Sequence, residues 1–414
     1  MSPNPLRASA VRAVCGLAFL LALAGVPACG QTGGADGAGG AGETFVIPAN
    51  AGIVQARGGL PNTFAKLKSG RPVTVAYLGG SITAGSGASK PDVNSYRALI
   101  GQWFATTFAQ SVVTNVNAGY GGTGSDFGAF RLERHVLAKS PDLVFVEFAV
   151  NDGANALADR GMEGIVRHIR RVSPSTDVCF VYTTVAKSVA VYKNGAVPGA
   201  VASEEKIADY YNVPSVNVGL AGALRILRAG MLPAQFFRDG THPTDAGHQT
   251  YADALTSFLA DQAQHAPPAR RYAMPPPMRP DTLEYGHMIA PEEVLPLAAG
   301  WSIADVHQPS QFRTLLTADT PGAVQDVPFS GPIVALYLFV AGDSGAFDYK
   351  IDAGEWKTID PFDFKRYGHS TYRLLVDGLS PTAHVFSVRV GLSHNPASVG
   401  TKTRIGFFCV APAH

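Results

Sequence analysis

Between residue 45 and about residue 264, short apolar runs alternate with segments of helical periodicity. Strands are predicted at residues 73–78, 112–116, 143–150 and 178–185, and helices at 93–110, 127–139, 202–211, 220–228 and 245–262. The runs at 143–150 and 178–185 are almost continuously apolar, which is typical of parallel strands covered on both faces. The alternation of strand and helix predicts a layered α/β domain, with reactive groups on loops at the carboxyl ends of the strands.

The pattern changes after residue 264. Residues 265–284 are rich in proline and are predicted to form a stiff linker. Beyond them the helical period is lost, and strands are predicted at 333–340, 347–351, 373–376, 385–390 and 404–410. Residues 285–414 are therefore predicted to form an all-β sandwich or jelly roll that follows the α/β domain.

The N-terminus has the features of an export signal. Arg7 and Arg12 precede an apolar run at 14–26, which is shorter than the roughly 20 residues of a membrane-spanning helix, and small residues end it. Residues 1–28 are predicted to be a signal peptide. Val26-Pro27-Ala28-Cys29 then resembles a bacterial lipobox, in which the cysteine is lipidated, and residues 29–44 are predicted to be a Gly-rich tether. The prediction is an exported protein, either a cell-envelope lipoprotein attached to the membrane through Cys29 or a freely secreted protein.

Composition excludes several functional classes. Lys and Arg total 33 against 32 Asp and Glu, so the net charge is +1, and no basic stripe interleaved with aromatic residues indicates nucleic-acid binding. The cysteines, histidines and acidic residues have no metal-ligand spacing. Cys179 and Cys409 lie in apolar runs typical of buried thiols. No metal, cofactor or nucleic-acid partner is predicted.

Ser81 is the candidate nucleophile. It follows a predicted strand and two glycines, Gly79 and Gly80, which permit a tight turn that exposes the hydroxyl at the sheet edge. On its own such a turn is also compatible with a purely structural role.

Asp239 and His242 supply the groups that a serine nucleophile needs. An imidazole can accept the hydroxyl proton, and a carboxylate can orient the ring. Their three-residue spacing lets one loop present both, and Thr244 or Asp245 can cap the helix that follows. The alternative is a loop aspartate with a surface histidine, and His248 is interpreted as an ordinary helix-face residue.

Gly122 and Asn151 are candidate donors for an oxyanion. Gly122 ends a Gly-rich loop where a backbone N–H can approach a ligand closely, and Asn151 follows the strand at 143–150 with a side-chain amide. Asn151 can equally be a turn-forming residue, and the neighbouring Asp152 can order the same loop.

Together these residues resemble the SGNH (GDSL-like) hydrolase superfamily over about 220 residues. The four blocks that carry the resemblance are Gly79-Gly80-Ser81, residues 117–125, Ala149-Val150-Asn151-Asp152, and Asp239 to His242. The resemblance implies a flavodoxin-like, three-layer domain over residues 45–264 with a mainly parallel sheet.

The resemblance also implies a role for each site residue. Ser81 would be the nucleophile, His242 the general base and then acid, and Asp239 its orienting partner. Ser81, Gly122 and Asn151 would form the oxyanion hole. Two departures are visible: the usual Gly-Asp-Ser is Gly-Gly-Ser, and the usual Gly-x-Asn-Asp begins with Ala149. The missing carboxylate is not a catalytic group, so we expect the local hydrogen bonding to differ while catalysis survives.

The leading functional hypothesis is a serine esterase that removes O-acetyl groups from an extracytoplasmic carbohydrate. Trp301, Trp356, Tyr349 and Tyr367 could stack on sugars, although at least half of them are expected in the core. One alternative is a lysophospholipase or short-chain acyl esterase. The other is a glycan-binding lipoprotein without catalysis, against which the complete set of Ser81, Asp239 and His242 argues.

Overall fold

A computed structural model describes residues 52–306, 311–364 and 369–412 of the chain, without the side chains of residues 363 and 364. The predicted signal peptide, Cys29 and the tether at 29–44 lie outside these ranges. Within the described ranges, no helix combines the length and the apolar character needed to cross a membrane.

The first half of the described chain alternates strands and helices. Its strands are β1 Val54–Gln55, β2 Val73–Gly79, β3 Val113–Gly119, β4 Leu143–Glu147, β5 Asp177–Val181 and β6 Ser215–Val216. Its helices are α1 Pro61–Lys68, α2 Ser81–Ala84, α3 Pro91–Asn94, α4 Tyr96–Thr107, α5 Ser125–His135, α6 Ala156–Val172, α7 Val189–Lys193, α8 Gly199–Tyr210, α9 Val218–Ala229, α10 Pro233–Phe236 and α11 Asp245–His265.

These strands form one sheet in the order β1-β6-β5-β4-β2-β3, in which only β1 is antiparallel. Successive side chains of β2 and β4 enter two different cores, as strand geometry requires. Helices α5, α6 and α8 cover one face, and α1, α4, α9 and α11 cover the other. The predicted three-layer, mainly parallel domain is confirmed.

The second half of the described chain is built from antiparallel strands. They are β7 His287–Ile289, β8 Ser302–Asp305, β9 Thr314–Ala318, β10 Val324–Ser330, β11 Ile333–Val340, β12 Phe347–Ile351, β13 Lys357–Ile359, β14 His369–Asp377, β15 Ala383–Val390 and β16 Thr403–Ala411. One sheet has the order β10-β15-β12-β13, and the other has the order β14-β11-β16-β9-β8 with β7 on β16. A shared apolar core lies between the two sheets, so this region is the predicted sandwich.

The larger sheet of the sandwich is buried on both faces. Val334, Leu336 and Leu338 point into the sandwich, whereas Ala335 and Tyr337 join the core around α5 and α6. This double burial explains why β11 is apolar along its length. The α/β layers and the sandwich therefore share one continuous hydrophobic core.

The proline-rich segment at 265–284 is packed against the α/β domain. Tyr272 Oη donates to Oδ1 of Asp177 at 2.7 Å. Arg167 Nε donates to Oε2 of the buried Glu284 at 2.5 Å. The segment is therefore fastened to the α/β domain by specific polar contacts with α6 and β5.

The structure corrects several predicted boundaries. The strand predicted at 143–150 ends at Glu147, and the strand predicted at 178–185 ends at Val181. In both cases the residues that follow leave the sheet as a loop. The helix predicted at 93–110 is split at Ser95, whose hydroxyl caps α4 by accepting from Ala98 N at 3.4 Å. Helix α6 was not predicted, because arginines interrupt its buried face, among them Arg160 and Arg167.

Candidate active site

The candidate site lies where the order of the parallel strands reverses. Strand β2 has β3 on one side and β4 on the other, so the loops after these three strands meet at one edge of the sheet. Ser81 follows β2, Gly122 follows β3 and Asn151 follows β4. The sequence-predicted residues of three separate blocks are thereby brought to one rim.

The turn before Ser81 requires both of its glycines. A Cβ atom on Gly79 would lie 2.3 Å from Oγ1 of Thr83, and one on Gly80 would lie 2.1 Å from Oδ1 of Asn151. Ser81 is the first residue of α2, so its N–H has no acceptor within that helix. The turn thus projects the Ser81 hydroxyl at the carboxyl edge of the sheet.

Ser81, His242 and Asp239 form one hydrogen-bonded chain. Ser81 Oγ lies 2.9 Å from Nε2 of His242, and His242 Nδ1 lies 2.7 Å from Oδ2 of Asp239. The other oxygen, Oδ1, accepts from the backbone N–H of His242 at 2.8 Å and of Thr241 at 3.0 Å. These hydrogen bonds, that of the His242 side chain first, lower the pKa of Asp239 to about 2.

An ionised Asp239 sets the tautomer of its neighbour. The proton of a neutral His242 ring sits on Nδ1, facing the carboxylate, and Nε2 is left as an acceptor for the Ser81 hydroxyl. The side chains of His242 and Asp239 are 27% and 52% exposed, so the group is accessible from solvent. The arrangement can deprotonate a serine that attacks a substrate at the surface.

The histidine loop is docked onto the segment that follows α2. Gly87 has φ +93°, and a Cβ there would lie 2.2 Å from the carbonyl oxygen of Pro243. Asp245 accepts from Ser89 through both N–H and Oγ, at 2.7 and 2.6 Å. Thr244, one of the two predicted caps, accepts from Gly247 N at 3.4 Å and caps α11.

His248 is on a helix face, but that face is buried. Its Nδ1 accepts from Tyr96 N at 3.2 Å, and its Nε2 donates to the carbonyl oxygen of Ser86 at 3.1 Å. Burial lowers its pKa to about 4. His248 therefore joins α11, α4 and the loop after α2 as a neutral structural group, a role that its position in the sequence did not reveal.

Gly122 and Asn151 are exposed, on the loops that follow the two strands flanking β2. Gly122 has φ +72°, a left-handed conformation that favours glycine. In the same loop, a Cβ on Gly121 would lie 3.7 Å from the Cβ of Ser81, which measures how closely this backbone passes the serine. Asp152, next to Asn151, accepts from Ser125 N at 2.9 Å and so anchors the start of α5; burial raises its pKa to about 7.

Glu147 is a buried carboxylate beneath the serine turn that sequence reasoning missed. Its oxygens accept from Oγ1 of Thr83 at 2.7 Å and from Oγ1 of Thr183 at 2.5 Å, and the N–H of Gly80 also donates to it. Burial raises its pKa to about 7. A lone acidic residue within an otherwise apolar strand was the available signal.

Arg131 is a second missed residue, fully buried on α5. Its guanidinium donates to the carbonyl oxygens of Ala118 at 2.6 Å and Gly79 at 2.9 Å. Burial lowers its pKa to about 10. Arg131 thereby ties together the carboxyl ends of β2 and β3. Ser81 follows β2, and residues 119–124, which we call the Gly122 loop, lie at the end of β3.

Several other sequence-predicted features have clear positions. Trp301 and Tyr349 are buried in the sandwich core, whereas Trp356 is half-buried beneath Arg389; Tyr367 lies outside the described residues. Cys179 and Cys409 are buried free thiols. In the described part of the chain, no three His, Cys, Asp or Glu side chains are grouped so that they could hold a metal ion.

Residues 77–250 match the sequence model of the GDSL-like lipase/acylhydrolase family. No curated protein matches the chain. Among solved structures, it is similar to a two-domain esterase (CEX) active on acetylated mannans, with a TM-score of 0.76 and 24% identity, over 87% of this chain and 98% of that one. The structure of that esterase co-crystallized with mannopentaose gives a TM-score of 0.74 at the same identity and coverage. The likeness extends through both the α/β layers and the sandwich.

Proposed function

We propose that this chain, an ester-hydrolysing enzyme whose residues 77–250 form a GDSL-like lipase/acylhydrolase domain, removes O-acetyl groups from a carbohydrate through an acyl-enzyme on Ser81. The observation that carries the proposal is the chain of hydrogen bonds from Ser81 Oγ to His242 Nε2 at 2.9 Å and from His242 Nδ1 to Asp239 at 2.7 Å.

Acylation begins when Ser81 Oγ attacks the ester carbonyl carbon and its proton passes to His242 Nε2. The bond from the carbonyl carbon to the sugar oxygen then breaks, and His242 returns the proton to that oxygen. The acetyl group stays on Ser81. Asp239 remains ionised, holds the ring by its Nδ1 and stabilises the imidazolium that forms in each transfer.

Deacylation repeats these steps with water. His242 takes a proton from the water as its oxygen attacks the acyl carbon, and it then protonates Ser81 Oγ as acetate leaves. The negative oxygen of each tetrahedral intermediate would be bound by the N–H groups of Ser81 and Gly122 and by the amide of Asn151. Preorganised donors of this kind contribute strongly to rate because they need no reorganisation during the reaction.

A carbohydrate substrate is supported by the exposure of the site and by a structural neighbour. Asp239, Gly122 and Asn151 are exposed, which suits an acyl group displayed on a bulky polymer. The chain also shares its fold, over 87% of its length, with an esterase active on acetylated mannans, and this likeness supports the same class of substrate. We place this activity outside the cytoplasm, in a protein that is secreted or attached to the membrane by a lipid on Cys29.

The test is release of acetate from acetylated mannan and acetylated xylan, measured beside hydrolysis of lysophospholipids and of p-nitrophenyl esters of increasing acyl length. Efficient acetate release that is lost in Ser81→Ala supports the proposal. Cleavage of lysophospholipids without acetate release would favour the lipase alternative. Absence of turnover and of fluorophosphonate labelling, together with retained glycan binding, would favour a binding protein.

A further inference from the structure

Two tyrosines of the sandwich lie against the start of α5. Tyr337 on β11 and Tyr372 on β14 are direct cross-strand partners. Their ring centroids lie 4.6 and 4.8 Å from that of Phe127. Tyr372 Oη also donates to Oδ2 of Asp126 at 2.8 Å, a hydrogen bond between residues 246 positions apart. The sandwich therefore contacts the first turn of α5, the helix that follows the Gly122 loop.

The same sandwich surface reaches the loop itself through Tyr120. The Tyr120 ring stacks on His135, with centroids 4.9 Å apart, and the Arg131 guanidinium carbon lies 4.6 Å from its centre. Tyr337 meets it edge-on, with centroids 6.3 Å apart. Tyr120 is therefore held from the α/β side by α5 and from the other side by β11.

Besides the hydrogen bond from the N–H of Tyr120 to the carbonyl oxygen of Gly79 at 2.9 Å, the loop has only two side chains that can anchor it. Residues 119–124 read Gly-Tyr-Gly-Gly-Thr-Gly, and Thr123 uses its hydroxyl to donate to the carbonyl oxygen of Tyr120 at 2.7 Å. A Cβ on Gly122 would meet no atom within 4 Å. Glycine-rich backbone has high conformational freedom, so the direction of the Gly122 N–H depends on how firmly Tyr120 is anchored.

We propose that Tyr337 of the sandwich is a positioning residue for the Gly122 loop, acting through Tyr120. The inference rests on the proposed serine mechanism and gives the sandwich a part in catalysis that is separate from any binding of glycan. A donor displaced by a fraction of an ångström stabilises the developing charge less, while the substrate in its ground state is bound almost as before.

The decisive variant is Tyr337→Leu, which removes the ring edge beside Tyr120 and keeps an apolar side chain. Its kcat for p-nitrophenyl acetate should fall by about 10-fold with less than about a 2-fold change in KM. Tyr337→Phe retains the ring and loses only the hydrogen bond from Oη to Ser370 Oγ at 2.8 Å. This variant should therefore keep a kcat close to that of the wild type. Phe339→Leu, two residues along the same strand and packed on Phe312, is the matched control and should keep kcat.

Ser81→Ala and Tyr337→Leu distinguish the proposed function from the positioning role. If Ser81→Ala abolishes turnover but Tyr337→Leu keeps full kcat while folded at the assay temperature, the positioning role is overturned and the serine mechanism stands. If Ser81→Ala keeps turnover, the proposed function itself fails. Should Tyr337→Leu unfold, Tyr120→Leu removes the ring from the loop side, and an unchanged kcat there would overturn the inference.

Discussion

Gly80 and Asn151 are in such close contact that a Cβ atom on Gly80 would lie 2.1 Å from Oδ1 of Asn151. The resemblance to SGNH hydrolases implies aspartate as the usual residue at position 80, and in this chain a side chain there would meet the Asn151 amide. A side chain at position 80 therefore requires Asn151 to move.

Gly80→Asp is expected to lower kcat by about 10- to 100-fold, because Asn151, a proposed oxyanion donor, must move away. The measurement is steady-state kinetics on p-nitrophenyl acetate. Gly121→Ala is the control: its Cβ would lie an ordinary 3.7 Å from the Cβ of Ser81, and it should retain most of the activity. Equal losses in the two variants would refute the coupling.

Asp239→Asn should lower kcat by about 10³- to 10⁴-fold, because an amide donor facing Nδ1 stabilises the wrong imidazole tautomer. The amide oxygen can still accept from the N–H groups of Thr241 and His242, so we expect the loop and the melting temperature to change little. The assay is turnover between about pH 5 and 8, where a pKa near 2 keeps the wild-type carboxylate ionised.

The sandwich offers a matched control for that substitution. Asp352 Oδ2 accepts from His384 Nδ1 at 2.7 Å, and Ser380 Oγ lies 3.1 Å from Nε2. This Nε2 also lies 2.9 Å from the Ser380 carbonyl oxygen, so it acts as a donor and not as a free base. Asp352→Asn should leave kcat unchanged; a comparable loss there would show that the Asp239 effect is not specific to the site.

Glu147 predicts a dependence of stability on pH. Its pKa is raised from 4.5 to about 7 in the folded protein, so between these values the folded state binds more protons than the unfolded chain. The free energy of unfolding therefore falls as pH rises through this window. Glu147→Gln should remove the contribution of this carboxyl to the pH dependence of stability. Between pH 5 and pH 8, the urea midpoint of the variant should therefore fall by about 0.5 M less than that of the wild type.

Asp152 offers a second test of the same effect, because burial raises its pKa from 3.8 to about 7 as well. Wild type and each single variant, Glu147→Gln and Asp152→Asn, are unfolded in urea at both pH values. Each variant should flatten part of the wild-type slope. If the slope of Glu147→Gln equals that of wild type, the Glu147 carboxyl is already ionised at pH 5 in the folded protein.

The sequence predicted those parts of the site that depend on strand ends. Ser81, Gly122 and Asn151 each follow an apolar run, and the carboxyl ends of parallel strands share one edge, so their meeting could be anticipated. The pairing of Asp239 with His242 is local in sequence. The supports were not predictable in the same way: Glu147 is one polar residue within a strand, and its partners Thr83 and Thr183 are brought to it only by the sheet order.

The packing of the linker and of β11 likewise depends on residues far apart in the sequence. The proline-rich composition of residues 265–284 indicated a linker, but the ion pair of Arg167 with the buried Glu284 fastens this segment to α6. The apolar run at 333–340 predicted a strand without indicating that its second face packs on α5. Both features depend on contacts between residues more than 100 positions apart. The periodicity of neighbouring residues does not indicate such contacts.

Gly87 carries the final prediction, because its backbone is the surface on which the histidine loop rests. A Cβ there would lie 2.2 Å from the Pro243 carbonyl oxygen and 2.9 Å from the Cβ of His242. Gly87→Ala should push His242 away from Ser81 and lower kcat by about 100-fold, since the proposed base and nucleophile would act as a unit. Gly322→Ala is the matched control, because Gly322 has a similar φ of +86° with no atom within 4 Å of its Cβ position. The control should lose some stability from backbone strain and keep its kcat; if Gly87→Ala behaves the same way, contact with the loop does not set the position of His242.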